Sequence, residues 1–354
     1  MRTQPVITNA KGEAILLNRK ERALAEHWER TIKNSLGYEV PITTLTTIIK
    51  KVSEQKLYEI APADYLPVKV GEGAWSSNLT TYRSFDIADE FESGVINTGG
   101  NNTRQSVADA AVDALNIKIL NWAKTIGWSI FDLELAAKSG NWDLVTAKEK
   151  ARKRNWDLGI QRVAFLGARG NNIGSTASCL GLLNQIGVTQ NTTLITAALN
   201  TLSPANLSTF QQNVVQAYRV NCNYTAYPTH FVVPESDYNG MAAQASSTYP
   251  MKSILQLLED GFKVICRNDN FKILPLAYAS AANAGPSGTL PSAFATQMYV
   301  LLNYQEESLR MDIPLDYTNT LANSLDNFMF QNAGYGQFTG VLAYRPAEML
   351  YMGF

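Results

Sequence analysis

The pattern of apolar and polar positions singles out the stretch from Leu115 to Leu166. Its opening run, Asn116–Ser129, is apolar and strand-like. At Ser129 the period becomes helical. Ser129-Ile130-Phe131-Asp132 is a capping-box variant, in which the serine hydroxyl faces the amide three residues on and the aspartate answers it. Leu133, Ala136 and Ala137 continue an apolar face until Gly140 interrupts it. From Asn141 a second helix is expected. Leu144, Ala147, Ala151, Leu158 and Ile160 give it a thin apolar stripe, and Lys148, Lys150, Arg152, Lys153 and Arg154 crowd the rest. A helix this polar is expected to lie along a surface as a spar rather than fill a core.

The flanking segments divide by the same reading. Residues 1–17 show no period and read as an extended arm. Asn18, with Glu21 three residues on, caps a helix carrying Leu24, Trp28 and Ile32 and ending at Gly37. A second amphipathic segment after Pro41 places Leu45, Ile48, Ile49 and Val52 on one face. From Tyr65 to Asn116 there is alternation around Trp75 to Phe85 and a strong turn signal at Asn97–Asn102. A structureless connection of that length would be unusual, so a long projecting β-hairpin is expected.

The remainder reads as an α/β body. Ser203 and Pro204 open a helix whose face is Phe210, Val214, Tyr218 and Asn221. Helices are expected near Asp237–Ala245 and over Met251–Leu258, the latter with Ile254, Leu255 and Leu258 inward. Strands are expected at His230–Pro234, Lys263–Arg267, Phe271–Ala279, Gln297–Gln305, Asp326–Gly334 and Phe338–Pro346, with an exposed loop at Ala281–Leu290. The apolar end, Met349–Phe354, should be tied into a sheet.

Composition narrows the function classes. Hydrophobic residues make up 45% of 354, enough for a full core, and only 17% are charged. A surface rich in small polar groups rather than ions suits one that neighbours cover. The formal net charge of −1 gives no global basic field for nucleic-acid readout. The start lacks the apolar core of a signal peptide, and no window approaches a membrane span. Cys179, Cys222 and Cys266 share no metal-like spacing and read as buried reduced thiols.

Candidate chemistry is sparse, and no enzyme or cofactor is expected. His27 and His230 read as structural, and no nucleophile elbow, HExxH or paired-carboxylate motif appears. Gly167, Gly170 and Gly174 match neither a P-loop nor a dinucleotide fingerprint, so they read as a turn. Asp86, Asp89, Glu90 and Glu92 fall on an extended limb that splays them over both faces, which suits a solvated or partner-facing edge better than a metal. Lys148–Arg154 is most simply a wet helical face, and as a functional element a positive strip facing a polyanion.

The order of parts (helical arm, long hairpin, polar spar helix, bipartite α/β body, return strand) resembles the major capsid proteins of tailed bacteriophages, the Hong Kong 97-type fold. The residues carrying the likeness are FDLELAAKSG with LVTAKEKARKRNWDLGIQRVAFLG and GLLNQIGV downstream, then PTHFVVPESDYNGM and FTGVLAYRPAEMLYM. The resemblance implies an α+β chain with an N-terminal arm (1–57), an E-loop hairpin and its base (58–116), a spine helix and P-domain (117–195), an A-domain (196–325) and return strands (326–354). It implies a shell subunit that forms hexamers and pentamers around packaged double-stranded DNA. Assembly in the host bacterial cytoplasm, a separate scaffolding protein, a portal and a cement or decoration protein go with that reading. Trp75, Tyr82, Arg83, Phe85 and Arg104 are then expected at subunit interfaces, and Lys148, Lys150, Arg152, Lys153 and Arg154 at the inner surface. Some relatives lock subunits through an isopeptide bond from a hairpin lysine. Here no lysine lies between Glu72 and Ile117, and Lys69 sits at the hairpin root, so no cross-link is expected. Two alternatives are an encapsulin-type compartment shell, separable by protected DNA against a peptide-tagged cargo enzyme, and a sugar- or peptide-binding α/β protein, separable by solution size.

Overall fold

The computed structural model describes residues 7–8, 14–15, 56–87, 109–138, 143–168, 179–243, 252–284, 290–291, 293–324, 326 and 328–354. The chain divides into two units, Met1–Lys56 and Leu57–Phe354. In the first, β1 (Ile7–Thr8) and β2 (Ala14–Ile15) pair antiparallel. The helices expected over residues 18–37 and 41–52, with His27, lie outside the described residues.

In the second unit, β3 (Val68–Val70) precedes a ten-residue antiparallel pair, β4 (Asn78–Ile87) with β5 (Asp109–Lys118). Asn78 stands opposite Lys118, and Ile87 opposite Asp109. Both hairpin limbs are therefore present; the turn signal at Asn97–Asn102 lies outside the described residues. β6 (Leu120–Ser129) runs directly into α1 (Ile130–Lys138). The expected reciprocal cap forms there: Asp132 N–H donates to Ser129 Oγ and Ser129 N–H to Asp132 Oδ2, each 3.1 Å. Those two bonds with Ser129 hold the Asp132 carboxyl below its usual range. α2 (Leu144–Leu166) is capped by Asp143, which accepts from Thr146 N–H, and stops at Gly167, whose φ of 77° suits a residue without a Cβ.

The remaining elements are β7 (Thr189–Asn191), α3 (Pro204–Asn221), β8 (His230–Pro234), α4 (Glu235–Ala242), α5 (Ile254–Cys266), β9 (Lys272–Leu276), α6 (Ala281–Ala284), β10 (Met298–Leu302), β11 (Leu309–Ile313), β12 (Leu315–Asn319), β13 (Asn323–Ser324), β14 (Met329–Phe338), β15 (Val341–Ala343) and β16 (Met349–Gly353). The sheet that carries the core has the order β7-β16-β10-β8-β9. Every residue of β8, β10 and β16 is buried. Strand alternation sorts them by face. Val232, Val300, Leu302, Met349 and Tyr351 join Phe165, Leu166 and Leu182 on one side. Phe231, Val233, Tyr299, Leu301, Leu350 and Met352 join Val214 and Tyr218 of α3 and Leu258 and Phe262 of α5 on the other. A sheet covered on both faces needs continuous apolar strands, and each fully buried Val or Leu contributes about 1.5–3 kcal/mol. The apolar chain end is thus the second strand of this sheet.

A second sheet is built on β14. β12 and β13 lie along one edge and β6 along the other, where the ladder pairs Leu120–Ser129 with Phe338–Met329. β15, β11 and β3 form a third.

Several expectations change. Lys263–Arg267 is not a strand: its first four residues finish α5, and Arg267 caps it at φ 52°. A capping box between Ser253 and Gln256 starts that helix. Leu258, Phe262 and Cys266, four apart and all buried, carry it past the β-branched run. Ser203 precedes Pro204 as expected but makes no side-chain cap. The Asn206 and Leu207 amides bond to its backbone carbonyl instead, both at 3.0 Å. The loop expected from Ala281 begins with α6, and residues 285–289 lie outside the described residues. The stretch expected as one strand over Phe338–Pro346 ends β14, turns, and forms β15 in a different sheet.

The spar is the largest correction. Its first two turns lie at the surface, but Arg152, Trp156, Ile160, Gln161 and Val163 to Leu166 are buried. His230 is structural, as its place on a buried strand suggests. It stacks on Tyr304 with ring centroids 4.8 Å apart, and burial pulls its pKa down to about 4.

Candidate assembly surface

The spar helix meets the β14 sheet through two side chains one turn apart. Arg152 is 2% exposed and Trp156 4%. They seat because β14 offers Gly334 and Gly336 on the same face. A Cβ at Gly334 would come within 2.8 Å of Arg152 Nε and Tyr317, and one at Gly336 within 2.6 Å of the Trp156 ring. Trp156 then lies among Trp122, Tyr317 and Phe338. The Arg152 guanidinium donates to Tyr317 Oη (2.7 Å), Asn319 Oδ1 (3.0 Å) and both the carbonyl (2.9 Å) and side-chain oxygens of Asn332. Glu149 holds the Asn332 amide at 2.8 Å. Arg152 therefore leaves the expected basic strip: it fastens the helix to its own sheet and cannot face an outside polyanion. The phase could have shown this, since Arg152, Trp156 and Ile160 follow one another every four residues on one stripe.

The rest of the strip divides. Lys148 donates to Gly127 O at 2.8 Å, and Arg154 pairs with Glu59 at 2.8 Å. Lys150 and Lys153 are exposed, three residues apart on one face.

At the hairpin, Tyr82 and Val112 are 72% and 68% exposed, large for apolar groups on a paired strand. Tyr82 stands opposite Ala114 and Val112 opposite Ser84, so the two share one face. The other face is buried toward the root, at Ile117, and Thr81 Oγ1 lies 3.4 Å from Tyr344 Oη of the body. Trp75 is not on the limb. It occupies the turn before β4 at φ 66°, its N–H donating to Gln337 Oε1 and its ring 5.9 Å from Tyr335. It is still 72% exposed. Arg83 and Phe85 lie on β4, and Arg104 lies outside the described residues.

The body offers little chemistry. An open cleft of about 670 Å³ between the hairpin root and the body is lined by Tyr82, Arg310, Tyr344 and Arg345. Both arginines already face carboxylates, Arg310 with Asp312 at 3.0 Å and Arg345 with Glu307 and Glu348 at 3.2 and 3.3 Å. Burial raises the Asp312 carboxyl, and Arg310 only partly offsets it. Gly167 and Gly181 mark a chain crossing rather than a cradle: a Cβ on Gly181 would lie 2.4 Å from Gly167 N. Gly170 and Gly174 lie outside the described residues, as do Asp89, Glu90 and Glu92. Among the described residues no group of three metal-ligating side chains gathers, and no helix is long and apolar enough to cross a membrane. Cys179, Cys222 and Cys266 are buried and unpaired, and burial pushes the Cys266 thiol to about 12.

A family model described as "Major capsid protein" matches residues 95–353. The capsid of the myovirus phage XM1 superposes with a TM-score of 0.68 at 17% identity, covering 88% of this chain and 97% of that one. A chain from Mycobacterium phage Ogopogo gives 0.54 at 12% identity, with 87% and 96% covered. The capsid of cyanophage P-SCSP1u gives 0.51 at 11%, with 88% and 92% covered. No curated protein sequence matches the chain.

Proposed function

This chain belongs to the major capsid protein family, and from that membership we propose that its copies close into an icosahedral shell of hexamers and pentamers around packaged double-stranded DNA. Its role is structural, its partner in assembly is itself, and its place is the virion. The fold is the α+β fold of phage capsid subunits. The observation that carries the finer reading is the hairpin, one face of which holds Tyr82 and Val112, both left exposed among the described residues. Buried beneath a neighbour, that face adds to interfaces that need about 1,000 Å² or more in total. Repetition around a closed ring lets modest contacts sum to a durable shell.

In this reading residues 1–57 form the arm, 58–116 the hairpin and its base, 117–195 the spine helix and P-domain, 196–325 the A-domain and 326–354 the returning strands. Assembly takes place in the host cytoplasm with a separate scaffold and a portal. Lys148, Lys150, Lys153 and Arg154 form the inner strip, of which Lys150 and Lys153 are the exposed members. Replacing those two by Gln should lower the DNA retained by filled particles and make its salt dependence shallower by about 0.9 for each phosphate no longer neutralised. Nuclease-protected DNA measured across a salt series checks this; unchanged retention at every salt concentration would place the lysines elsewhere.

The shell is held without covalent links. Lys118 closes β5 opposite Asn78, at the root rather than on the projecting part of the hairpin, and Lys69, the nearest lysine on its N-terminal side, is paired with Glu72 at 2.8 Å on the body side of the root. The pairing raises its pKa further and keeps the amine an ammonium, which is not a nucleophile. Arg83 and Arg104 cannot stand in, because a guanidinium stays protonated. Particles boiled in detergent should run as one band near 39.0 kDa, and a ladder of multimers would contradict this.

A further inference from the structure

α1 is apolar on more than the side its own body covers. Among its nine residues Ala136 alone is buried, while Phe131 and Leu135, one turn apart, are 73% and 69% exposed. Leu133 lies half-buried beside Ala136, so the helix turns one apolar face inward and leaves a second, Phe131 with Leu135, uncovered by the described residues. That second face continues onto the neighbouring strand. Phe328, just before β14, is 58% exposed and stacks on Phe131 at 6.4 Å with the planes 6° apart. Met329 and Ile130 extend the patch, 46% and 40% exposed, and the Ile130 N–H donates to Phe328 O. With aromatic side chains of roughly 200 Å² each, the five residues expose on the order of 500 Å² of contiguous apolar surface, the upper end of what a monomer leaves to water.

We infer that this patch of α1 and the start of β14 is covered by the same patch on a second copy of the chain. The inference rests on the shell reading above, because copies of this chain are the partner that reading supplies. Area permits a self-contact: two such patches face to face bury about 1,000 Å², the threshold of a specific interface. Charge supports it too. Along α1 the acids Asp132 and Glu134 come before the base Lys138, all exposed. Two copies related by a rotation axis and running oppositely set Glu134 of each near Lys138 of the other. Their helix dipoles align favourably in the same arrangement.

The test uses Leu135→Cys in the full chain, since the native cysteines are all buried. Intact particles and unassembled subunits are oxidised mildly, denatured and sized. The inference expects the 39.0 kDa chain to shift to twice that mass in particles and not in free subunits. Particles that form but leave the introduced thiol monomeric, or couple it to a different protein, overturn the inference while the shell reading stands. An unsubstituted chain that forms no particles even with its scaffold present defeats the shell reading instead. Should Leu135→Cys itself block assembly, Glu134→Lys and Lys138→Glu replace it. Each alone should lower particle yield and the pair should restore it, and a pair no better than its singles overturns the inference.

Discussion

Arg152→Ala should lower the stability of the unassembled subunit by about 3 kcal/mol, the order expected when a buried, multiply bonded charge is removed and its acceptors are left dry. Tyr317, Asn319 and Asn332 would each be deprived of a donor, and Gly334 would face a void where the guanidinium lay. The helix would keep Trp156 but lose its second fastening to β14. Arg152→Lys should recover only part of the loss, because one ammonium cannot span acceptors spread around a planar fork. Urea denaturation of free subunits measures both variants. A change within about 0.5 kcal/mol, ordinary for an exposed side chain, would mean that Arg152 is a surface residue after all.

The second large effect is expected at the hairpin and only on assembly. Tyr82→Ser combined with Val112→Ser should leave the melting temperature of the free subunit unchanged, since both side chains are exposed there. In the shell the double change weakens each subunit pairing by about 3 kcal/mol, roughly a hundredfold in each pairwise constant, and a closed array compounds that weakening. Particle yield measured by sedimentation should collapse. Trp75→Ala should weaken assembly too, but with some loss of subunit stability, because that ring also rests near Tyr335. If the hairpin double variant instead lowered the melting temperature and left yield intact, the hairpin would be packed on its own body.

What the sequence made legible was local periodicity and capping. Ser129 and Asp132 wrote a reciprocal cap, and it forms. The apolar runs at His230, Gln297 and Met349 became the three wholly buried strands of the central sheet. The failures were of context. Lys263–Arg267 is too short for its period to tell strand from helix, and only continuity with Leu258 and Phe262 settles it. Arg152 looked solvated because five cations crowd seven residues. Its burial depends on Gly334 and Gly336, nearly two hundred residues away, and no local pattern joins them. Phe131 and Leu135 show the converse. A period places apolar groups on one face of a helix, but it cannot say whether that face meets its own chain or another.

Electron cryo-microscopy of what the chain forms when produced together with its scaffolding protein tests most directly whether its copies close on themselves. The expected result is closed shells with five-fold vertices among hexamers, in which density for the β4–β5 hairpin crosses from each subunit onto the next. A chain that stays a 39.0 kDa monomer even with the scaffold present, with that hairpin folded against its own body, would contradict it.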